Sequence, residues 1–527
     1  MALGPDELAQ LNMLIYQPGF IQAYESVCRE QRIERPTLGQ VLDKMAADAS
    51  NGGQHDAWTS DEQYRNLIEC LRNGEAANMT VADVTQPGTE MGGARQTSRH
   101  MTLTDEDGNM YVVFEGTEGG EGEWADNFYG LTETDTESQE AAAAYVAEML
   151  RRYNPTGKVV VSGHSKGGNS AMYVAIVNPR VDDAYSFDGQ GFGPGFLGEH
   201  AEDIARNRHK IHAYNYCGDF VSALLYVIAG DVHFVFGASP PDRIDSLWDL
   251  ITKLHGFASS HAPSRLFSDD ESFTMRDGAR PTGYWHAINQ LTIWIANNVP
   301  RGMQHRLVEF LGQLMAPNAD TAALMAQNPR LMGALACVLA SCPATADALA
   351  DAGPIASIIA KLVKGTIDAA QFAQMLGELL GVEITPEWVD EFLEGYEDMQ
   401  KDIQDGVRAK EASKIKQVEV RDWSDERMEE LLAIVAEVDA EPWWDFSRWD
   451  VWYRIEDLTG HLNIDEYRDD METYMRKQMD MNGVSAERIR QAFAAAQEHD
   501  GEYARAVSDM SPAVQGAARR LGGILKG

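Results

Sequence analysis

The segment VVVSGHSKGGNSAMYVAI, at residues 159–176, constrains the fold of this chain more than any other segment. Its apolar, β-branched start predicts a buried strand, and its second half has the apolar spacing of a helix. Between them, residues 163–167 form a G-x-S-x-G pentapeptide centred on Ser165. A strand that turns directly into a helix lifts the central serine above the sheet, and only glycine fits beside so sharp a turn. This context predicts that Ser165 is a nucleophile and not a polar residue of an ordinary turn.

The patterns around this segment alternate between helix and strand. An Ala-rich helix is predicted over residues 138–153, and short strands over residues 158–162, 184–187 and 211–216. Such alternation is typical of a parallel sheet with helices on its faces. The sequence therefore predicts an α/β fold for this part of the chain.

Two further patterns lie nearer the N-terminus. Helical spacing of apolar residues covers residues 7–16 and most of residues 36–75. Residues 101–103 and 110–114 flank the sequence TDEDGN, which predicts a hairpin with a turn at residues 107–108.

Strand patterns nearly vanish beyond Pro300. Apolar residues there recur at spacings of three and four, and residues 387–416 have the pattern of a long, highly charged helix. We therefore predict two domains: an α/β domain over residues 1–298 and an acidic, mostly α-helical region over residues 299–527. The role of the second is left open between a lid and a binding surface for a protein partner.

The charge of the chain restricts its partners. The formal net charge is −38 at neutral pH, which repels the phosphate backbone of nucleic acids and disfavours adsorption to anionic membranes. We therefore predict no nucleic-acid partner. No metal and no cofactor is predicted from the motifs.

Cysteine usage and the N-terminal sequence indicate the compartment. The chain has five cysteines and no C-x-x-C pair, which argues against a disulfide framework or a thiolate zinc site. The first twenty residues lack the basic and continuously apolar regions of a signal peptide. The most apolar later stretch, residues 331–341, is too short to span a bilayer. These features predict a cytoplasmic protein with no transmembrane segment.

Three motifs together carry a resemblance to a known family. The elbow GHSKGGN, the segment YVVFEGT and a downstream W-x-x-N at residues 124–127 resemble a group of uncharacterised bacterial α/β hydrolases related to class 3 lipases. The resemblance covers roughly residues 8–295 and implies an α/β-hydrolase fold with lipase- or esterase-like substrates. Glu115 stands where class 3 lipases commonly have Arg. This departure concerns the ionic contacts of the loop and not the backbone role of the next residues.

An oxyanion hole needs at least two donors aimed at the oxygen that becomes negative. One donor is normally the backbone N–H of the residue after the nucleophile, which is Lys166 here. The resemblance places the other at Thr117, through its backbone N–H and its hydroxyl.

The acid of a triad follows the nucleophile in the chain order of this fold. Asp188 and Asp219 both follow short predicted strands. The segment GDFVSALL is similar to the acid-bearing segment of class 3 lipases, so we favour Asp219. Asp188 is the second choice, because an Asp before Gly189 is also typical of a turn.

The base must follow the acid, and four histidines of the predicted α/β domain do so. His261, in SSHAPSRLF, lies in a polar loop and resembles the histidine segment of the family, so it is favoured; His255 is the second choice. His233 lies in an apolar run and is predicted to be a core histidine, and His286 to be structural. His164 is expected to point away from the site, because neighbouring side chains diverge on such a turn.

The predicted function is that of a serine hydrolase. Ser165, His261 and Asp219 would cleave carboxylic esters through an acyl-enzyme, with an ester or lipid-like molecule as substrate. One alternative is a non-catalytic interaction protein built on a hydrolase scaffold. Another is a thioesterase or peptidase that uses the same triad.

Overall fold

The computed structural model describes residues 3–49, 54–117, 134–239, 261–269, 271–315, 320–342, 358, 361, 367–380 and 384–414. The chain groups into two compact units. Met1–Ala296 and Arg301–Gln400 form the first unit, and Asn297–Pro300 with Lys401–Gly527 form the second. The predicted domain boundary at residue 298 stays a prediction.

An eight-stranded sheet forms the centre of the first unit. The strands of the described residues are β1 (Thr80–Thr85), β2 (Glu90–Met91), β3 (Ala94–Arg95), β4 (His100–Thr104), β5 (Met110–Phe114), β6 (Val159–His164), β7 (Asp183–Phe187), β8 (Ile211–Tyr216), β9 (Asp231–Phe236) and β10 (Arg276–Asp277). The large sheet has the order β1-β4-β5-β6-β7-β8-β9-β10, and β2 pairs with β3 in a separate ribbon. Neighbours from β5 to β9 are parallel, whereas β1, β4 and β10 pair antiparallel. This mostly parallel sheet confirms the predicted α/β class.

The α-helices of the described residues precede, alternate with and follow the strands of this sheet in the chain. They are α1 (Pro5–Leu14), α2 (Pro18–Gln31), α3 (Leu38–Ala49), α4 (Asp61–Asn73), α5 (Glu137–Tyr153), α6 (Lys166–Val177), α7 (Pro194–Glu199), α8 (Ala201–Asn207), α9 (Gly283–Asn298), α10 (Arg301–Met315), α11 (Thr321–Gln327), α12 (Pro329–Ser341), α13 (Ala369–Leu380) and α14 (Pro386–Lys414). Among the described residues beyond Pro300, every regular element is helical, as predicted. The long charged helix predicted near residue 387 is α14.

Strands β4 and β5 form the predicted hairpin. Gly108 has a φ of 80° at the turn, a conformation that glycine adopts without cost. The carboxylate of Asp105 accepts the backbone N–H of Asn109 at 2.8 Å and so fixes the other side of the turn.

Helices cover both faces of the sheet. The core beneath α1 to α4 takes alternate strand residues, among them Tyr111, Val113 and Val160. The intervening residues Val112 and Val161 are also fully buried, and they point to the opposite face because side chains alternate along a strand. Helix α6 packs there against β6 and β7, with α5 beside it. The sheet is thus the middle layer of a three-layer arrangement.

The carboxyl ends of β5, β6, β7 and β8 lie at the same edge of the sheet. The chain leaves these strands through Glu115, Ser165 and Asp188, and it reaches Asp219 shortly after β8. Because parallel strands present their carboxyl ends together, polar residues that are far apart in sequence meet at this edge.

Within the described residues, no helix is both long enough and apolar enough to cross a membrane.

Candidate active site

Ser165 occupies the turn between β6 and α6 in a conformation that is rare for a residue with a side chain. Its backbone has φ 61° and ψ −127°. Its N–H donates to the carbonyl oxygen of Phe187 at 2.9 Å, which ties the turn to the end of β7. Such dihedrals cost about 1–3 kcal/mol and persist only where the surroundings enforce them. The structure therefore shows the sharp strand-to-helix turn that the G-x-S-x-G pattern predicts.

The two outer glycines of the pentapeptide allow backbones to touch. A Cβ on Gly163 would collide with the carbonyl oxygen of Gly167. A Cβ on Gly167 would collide with the carbonyl oxygen of Phe114 at the end of β5. Any larger residue at either position would push the turn away from the sheet, and Ser165 with it.

His261 and Asp219 form a buried pair. Nδ1 of His261 lies 2.7 Å from Oδ1 of Asp219, so the ring donates its Nδ1–H to the carboxylate. The other carboxylate oxygen accepts the N–H of Ser222 at 2.6 Å. Asp219 is fully buried and His261 is 6% exposed. The pair fixes the orientation of the imidazole and directs its Nε2 away from the acid.

Asp188, the second-choice acid, does not hold His261. Its Oδ1 accepts the N–H of Tyr216 at 2.6 Å, and Oδ2 has no hydrogen-bond partner among the described residues. Burial, and then the nearby Asp219 carboxylate, raise the pKa of Asp188 well above its ordinary value. The two acids thus differ in their contacts: Asp219 bonds His261, whereas Asp188 is a buried carboxyl group in which burial favours the protonated form.

His164 belongs to the site, so the prediction that it points away is wrong. Its ring stacks on that of His261, with centroids 4.8 Å apart and planes at 27°. Its Nδ1 lies 3.1 Å from the hydroxyl of Tyr16, which comes from the turn after α1. The prediction failed because it considered only the local turn, whereas His261 reaches the ring of His164 from a distant part of the chain.

The loop at residues 115–117, named the oxyanion loop after its predicted role, follows β5 and runs past Ser165. An ideal Cβ on Gly116 would lie 3.0 Å from the Cβ of Ser165, so this backbone is in contact with Ser165. Thr117 comes next and is half-buried, and Lys166 is the first residue of α6. Of the two residues predicted to supply oxyanion donors, Lys166 is therefore the chain neighbour of Ser165, and Thr117 is the chain neighbour of Gly116, which contacts Ser165.

Glu115 makes an ionic contact that the sequence left undefined. Its fully buried carboxylate pairs with Arg99, whose Nη1 lies 2.6 Å from Oε1. The same Nη1 donates to the carbonyl oxygen of Ile15 at 2.7 Å. Arg99, just before β4, thus supplies the positive charge beside this loop.

The spacing of some side chains resembles that of metal ligands. His164, Asp188 and His261 each place one ligand atom within 4.8 Å of the others. The two imidazole rings are stacked, however, so the lone pairs in their planes run nearly parallel and converge poorly on one ion. The stacked arrangement therefore favours contact between the two rings over chelation of a metal ion. A second, partly exposed group with such spacing consists of Asp135, Glu199 and His200.

The remaining histidine predictions have different outcomes. His233 is not a core residue: its ring nitrogens lie 2.8 Å from Asp231 and 2.6 Å from Asp277, and its side chain is 28% exposed. That prediction was wrong because His233 lies on the partly open side of β9. His255 and the W-x-x-N motif lie outside the described residues, as does the side chain of His286.

Sequence reasoning missed Tyr16 and Arg99 altogether. Neither belongs to a motif, and both reach the site from elements that the motifs do not include. The apolar pattern that ends near residue 16 was the one available signal, since it places Tyr16 at the end of α1.

Comparison with known proteins gives one partial match. No curated protein and no solved structure matches the chain significantly. Over residues 78–227, the chain matches the model of the Mbeg1-like family. This matched segment begins just before β1 and ends shortly after Asp219, so it contains Ser165 and Thr117 but not His261.

Proposed function

We propose that the protein is a serine hydrolase with an α/β-hydrolase fold of the class 3 lipase type. It cleaves carboxylic esters through Ser165, His261 and Asp219. The observation that carries this proposal is the strained backbone of Ser165 at a strand-to-helix turn, next to His164, whose ring stacks on the His261 of a buried His261–Asp219 pair. A serine in an ordinary turn needs no such conformation. The chain order of nucleophile, acid and base also fits this fold.

Acylation begins when Oγ of Ser165 attacks the ester carbonyl carbon. His261 takes the hydroxyl proton on Nε2, because its Nδ1–H is held by Asp219. Asp219 stabilises the imidazolium that forms. His261 then returns the proton to the oxygen of the leaving alcohol as the ester C–O bond breaks, and the acyl-enzyme remains.

Water completes the cycle. His261 removes a proton from water as its oxygen attacks the acyl carbon, and the returning proton restores Ser165 when the carboxylic acid leaves. In both steps the backbone N–H groups of Thr117 and Lys166 hold the oxyanion. One such donor is worth about 10²–10³ in kcat.

Oγ of Ser165 makes no hydrogen bond to any residue that the structure describes. The hydrogen bond between Ser165 and His261 therefore forms, in this proposal, when substrate binds. Catalytic hydrogen bonds are often long in unliganded enzymes and shorten in the Michaelis complex.

A fluorophosphonate probe tests the proposal directly. The wild-type protein is expected to be labelled on Ser165 and to hydrolyse p-nitrophenyl esters, and Ser165→Ala to lose both properties. Ser170→Ala, in the buried face of α6, is the matched control and keeps both. An unlabelled wild-type protein would support the scaffold alternative. Ester, thioester and anilide substrates with the same acyl group separate the esterase from the thioesterase and the peptidase.

We propose that the helical region beyond Pro300 acts as a lid or binds a protein partner and supplies no catalytic group. The support is that all three proposed triad residues precede it in the chain. Removal of a lid should raise activity on soluble esters, whereas loss of a partner surface should leave it unchanged.

We further propose that the protein resides in the cytoplasm. The five cysteines all lie within the described residues and form no disulfide, which fits a reducing compartment. Fractionation of intact cells tests this localisation.

A further inference from the structure

The hydroxyl of Tyr16 connects two parts of the candidate active site. Its oxygen accepts the backbone N–H of Gly116 at 2.9 Å. The same hydroxyl lies 3.1 Å from Nδ1 of His164, and the two rings meet edge to face at 80°. One side chain from the turn after α1 therefore touches both the oxyanion loop and the histidine that stacks on His261.

The chemistry of these groups sets the direction of each bond. The N–H of Gly116 can only donate, so the Tyr16 oxygen accepts it and the hydroxyl proton is available to His164. Nδ1 of His164 accepts that proton in the tautomer whose ring proton is on Nε2. Burial lowers the pKa of His164, which favours the neutral ring that can accept. Tyr16 thus fixes the position of His164 and favours this tautomer.

A second link holds the same two segments together. Arg99 bonds the carbonyl oxygen of Ile15 and the carboxylate of Glu115, the chain neighbours of Tyr16 and Gly116. The backbone N–H of Glu115 also donates to the carbonyl oxygen of Arg99 at 3.0 Å. The end of α1 and the oxyanion loop are therefore tied at two adjacent points.

We infer that Tyr16 is a positioning residue, which sets the oxyanion loop against Ser165 and holds the stack of His164 on His261. This inference rests on the proposed function and deepens it. The loop is in contact with Ser165, so a shift of Gly116 displaces the N–H of Thr117 from the oxyanion. Since that interaction is made only in the transition state, its loss lowers kcat and leaves KM unchanged.

The test compares Tyr16→Phe with Tyr153→Phe. Tyr153 is a matched control, because its hydroxyl also bonds one backbone group, the carbonyl oxygen of Ala82 at 2.7 Å, but at the far end of α5. We expect Tyr16→Phe to lower kcat on a p-nitrophenyl ester by about tenfold to a hundredfold, with KM changed by less than about twofold. Fluorophosphonate labelling should become slower but stay on Ser165. Equal kcat values for the two variants would overturn the inference.

A second measurement does not depend on activity. Backbone hydrogen exchange of peptides that end at Thr117 reports the Gly116 amide directly. Tyr16→Phe should speed this exchange by about tenfold or more relative to Tyr153→Phe, because the amide loses its acceptor. Unchanged exchange would show that Tyr16 does not hold the loop. If the wild-type protein is not labelled by the probe, the proposed function fails, and this exchange experiment still decides the role of Tyr16.

Discussion

The ring of His164 stacks on the ring of His261, with centroids 4.8 Å apart. Strand β6 therefore positions two members of the proposed triad: Ser165 directly, and His261 through His164. Burial, and then the charge of His261, lower the pKa of His164 well below its ordinary value. A neutral ring at this place leaves His261 as the group that would become charged during the proposed acylation.

The strain at Ser165 predicts an inverted stability order for two inactive variants. Alanine normally stabilises a protein relative to glycine by about 0.4–1 kcal/mol. At a φ of 61° we expect the opposite, with Ser165→Gly more stable than Ser165→Ala by about 1 kcal/mol. Urea unfolding measures the difference. The same two substitutions at Ser170, inside α6, should show the ordinary order, and an ordinary order at both sites would mean that the turn is not strained.

The contacts of the two acids predict different kinetic effects. Asp219→Asn should lower kcat/KM by about 10⁴, because the amide no longer holds the Nδ1–H tautomer of His261. Asp188→Asn should lower it by less than about tenfold, because an amide resembles the protonated acid that burial favours there. Steady-state hydrolysis of a p-nitrophenyl ester compares them, with melting temperatures as the control for folding. The reverse order of effects would assign the acid role to Asp188.

The contacts of His233 predict a pH dependence of stability. Its hydrogen bond with Asp231, helped by Asp277, raises the pKa of His233 to about 9. The unfolded value is about 6.5, so the stabilisation is complete below that pH and is lost as the pH rises through the folded value. Solvent screens this partly exposed side chain, so we expect a stabilisation of about 1 kcal/mol. The free energy of unfolding of His233→Gln should fall below that of wild type by this amount near pH 6, and the gap should close near pH 10. A gap that does not change with pH would contradict a charged His233.

The pair of Arg99 and Glu115 predicts a non-additive double substitution. Arg99→Met removes the cation that faces a fully buried carboxylate and should cost about 3 kcal/mol or more. Replacing both residues by Met should recover most of that loss, because no charge is then buried. Lys158→Met, at the exposed pair with Asp183, is the control and should cost less than about 1 kcal/mol. Additive losses in the double variant would show that the buried pair is not coupled.

The sequence was most informative about the turn at Ser165, because a sharp strand-to-helix turn requires glycine at fixed local positions. The glycines on either side of Ser165 have no alternative explanation in a strand-to-helix context, and the structure has that turn. The strands around it were predictable because fully buried parallel strands are apolar without interruption. Strands β1 and β9 were not predicted: Asp83 interrupts the apolar pattern of β1, and the apolar run around His233 was interpreted only as core.

Contacts across the sheet could not be predicted from local patterns. Tyr16 and Gly116 are 100 positions apart in the chain, and no periodicity relates a residue after α1 to a loop after β5. The stack of His164 on His261 depends on the approach of a loop whose path the sequence does not encode locally. These contacts follow from the spatial order of the strands, which is a property of the complete sheet.

The convergence of strand ends at one edge of the sheet also determines when the chain can react. Tyr16, Gly116, Ser165, Asp219 and His261 come from five distant segments, and no short stretch holds both a nucleophile and its base. Long-range pairings of this kind form slowly and late in folding. A nascent or misfolded copy therefore carries only an ordinary alcohol at Ser165. The proposed chemistry becomes possible only when the fold is complete.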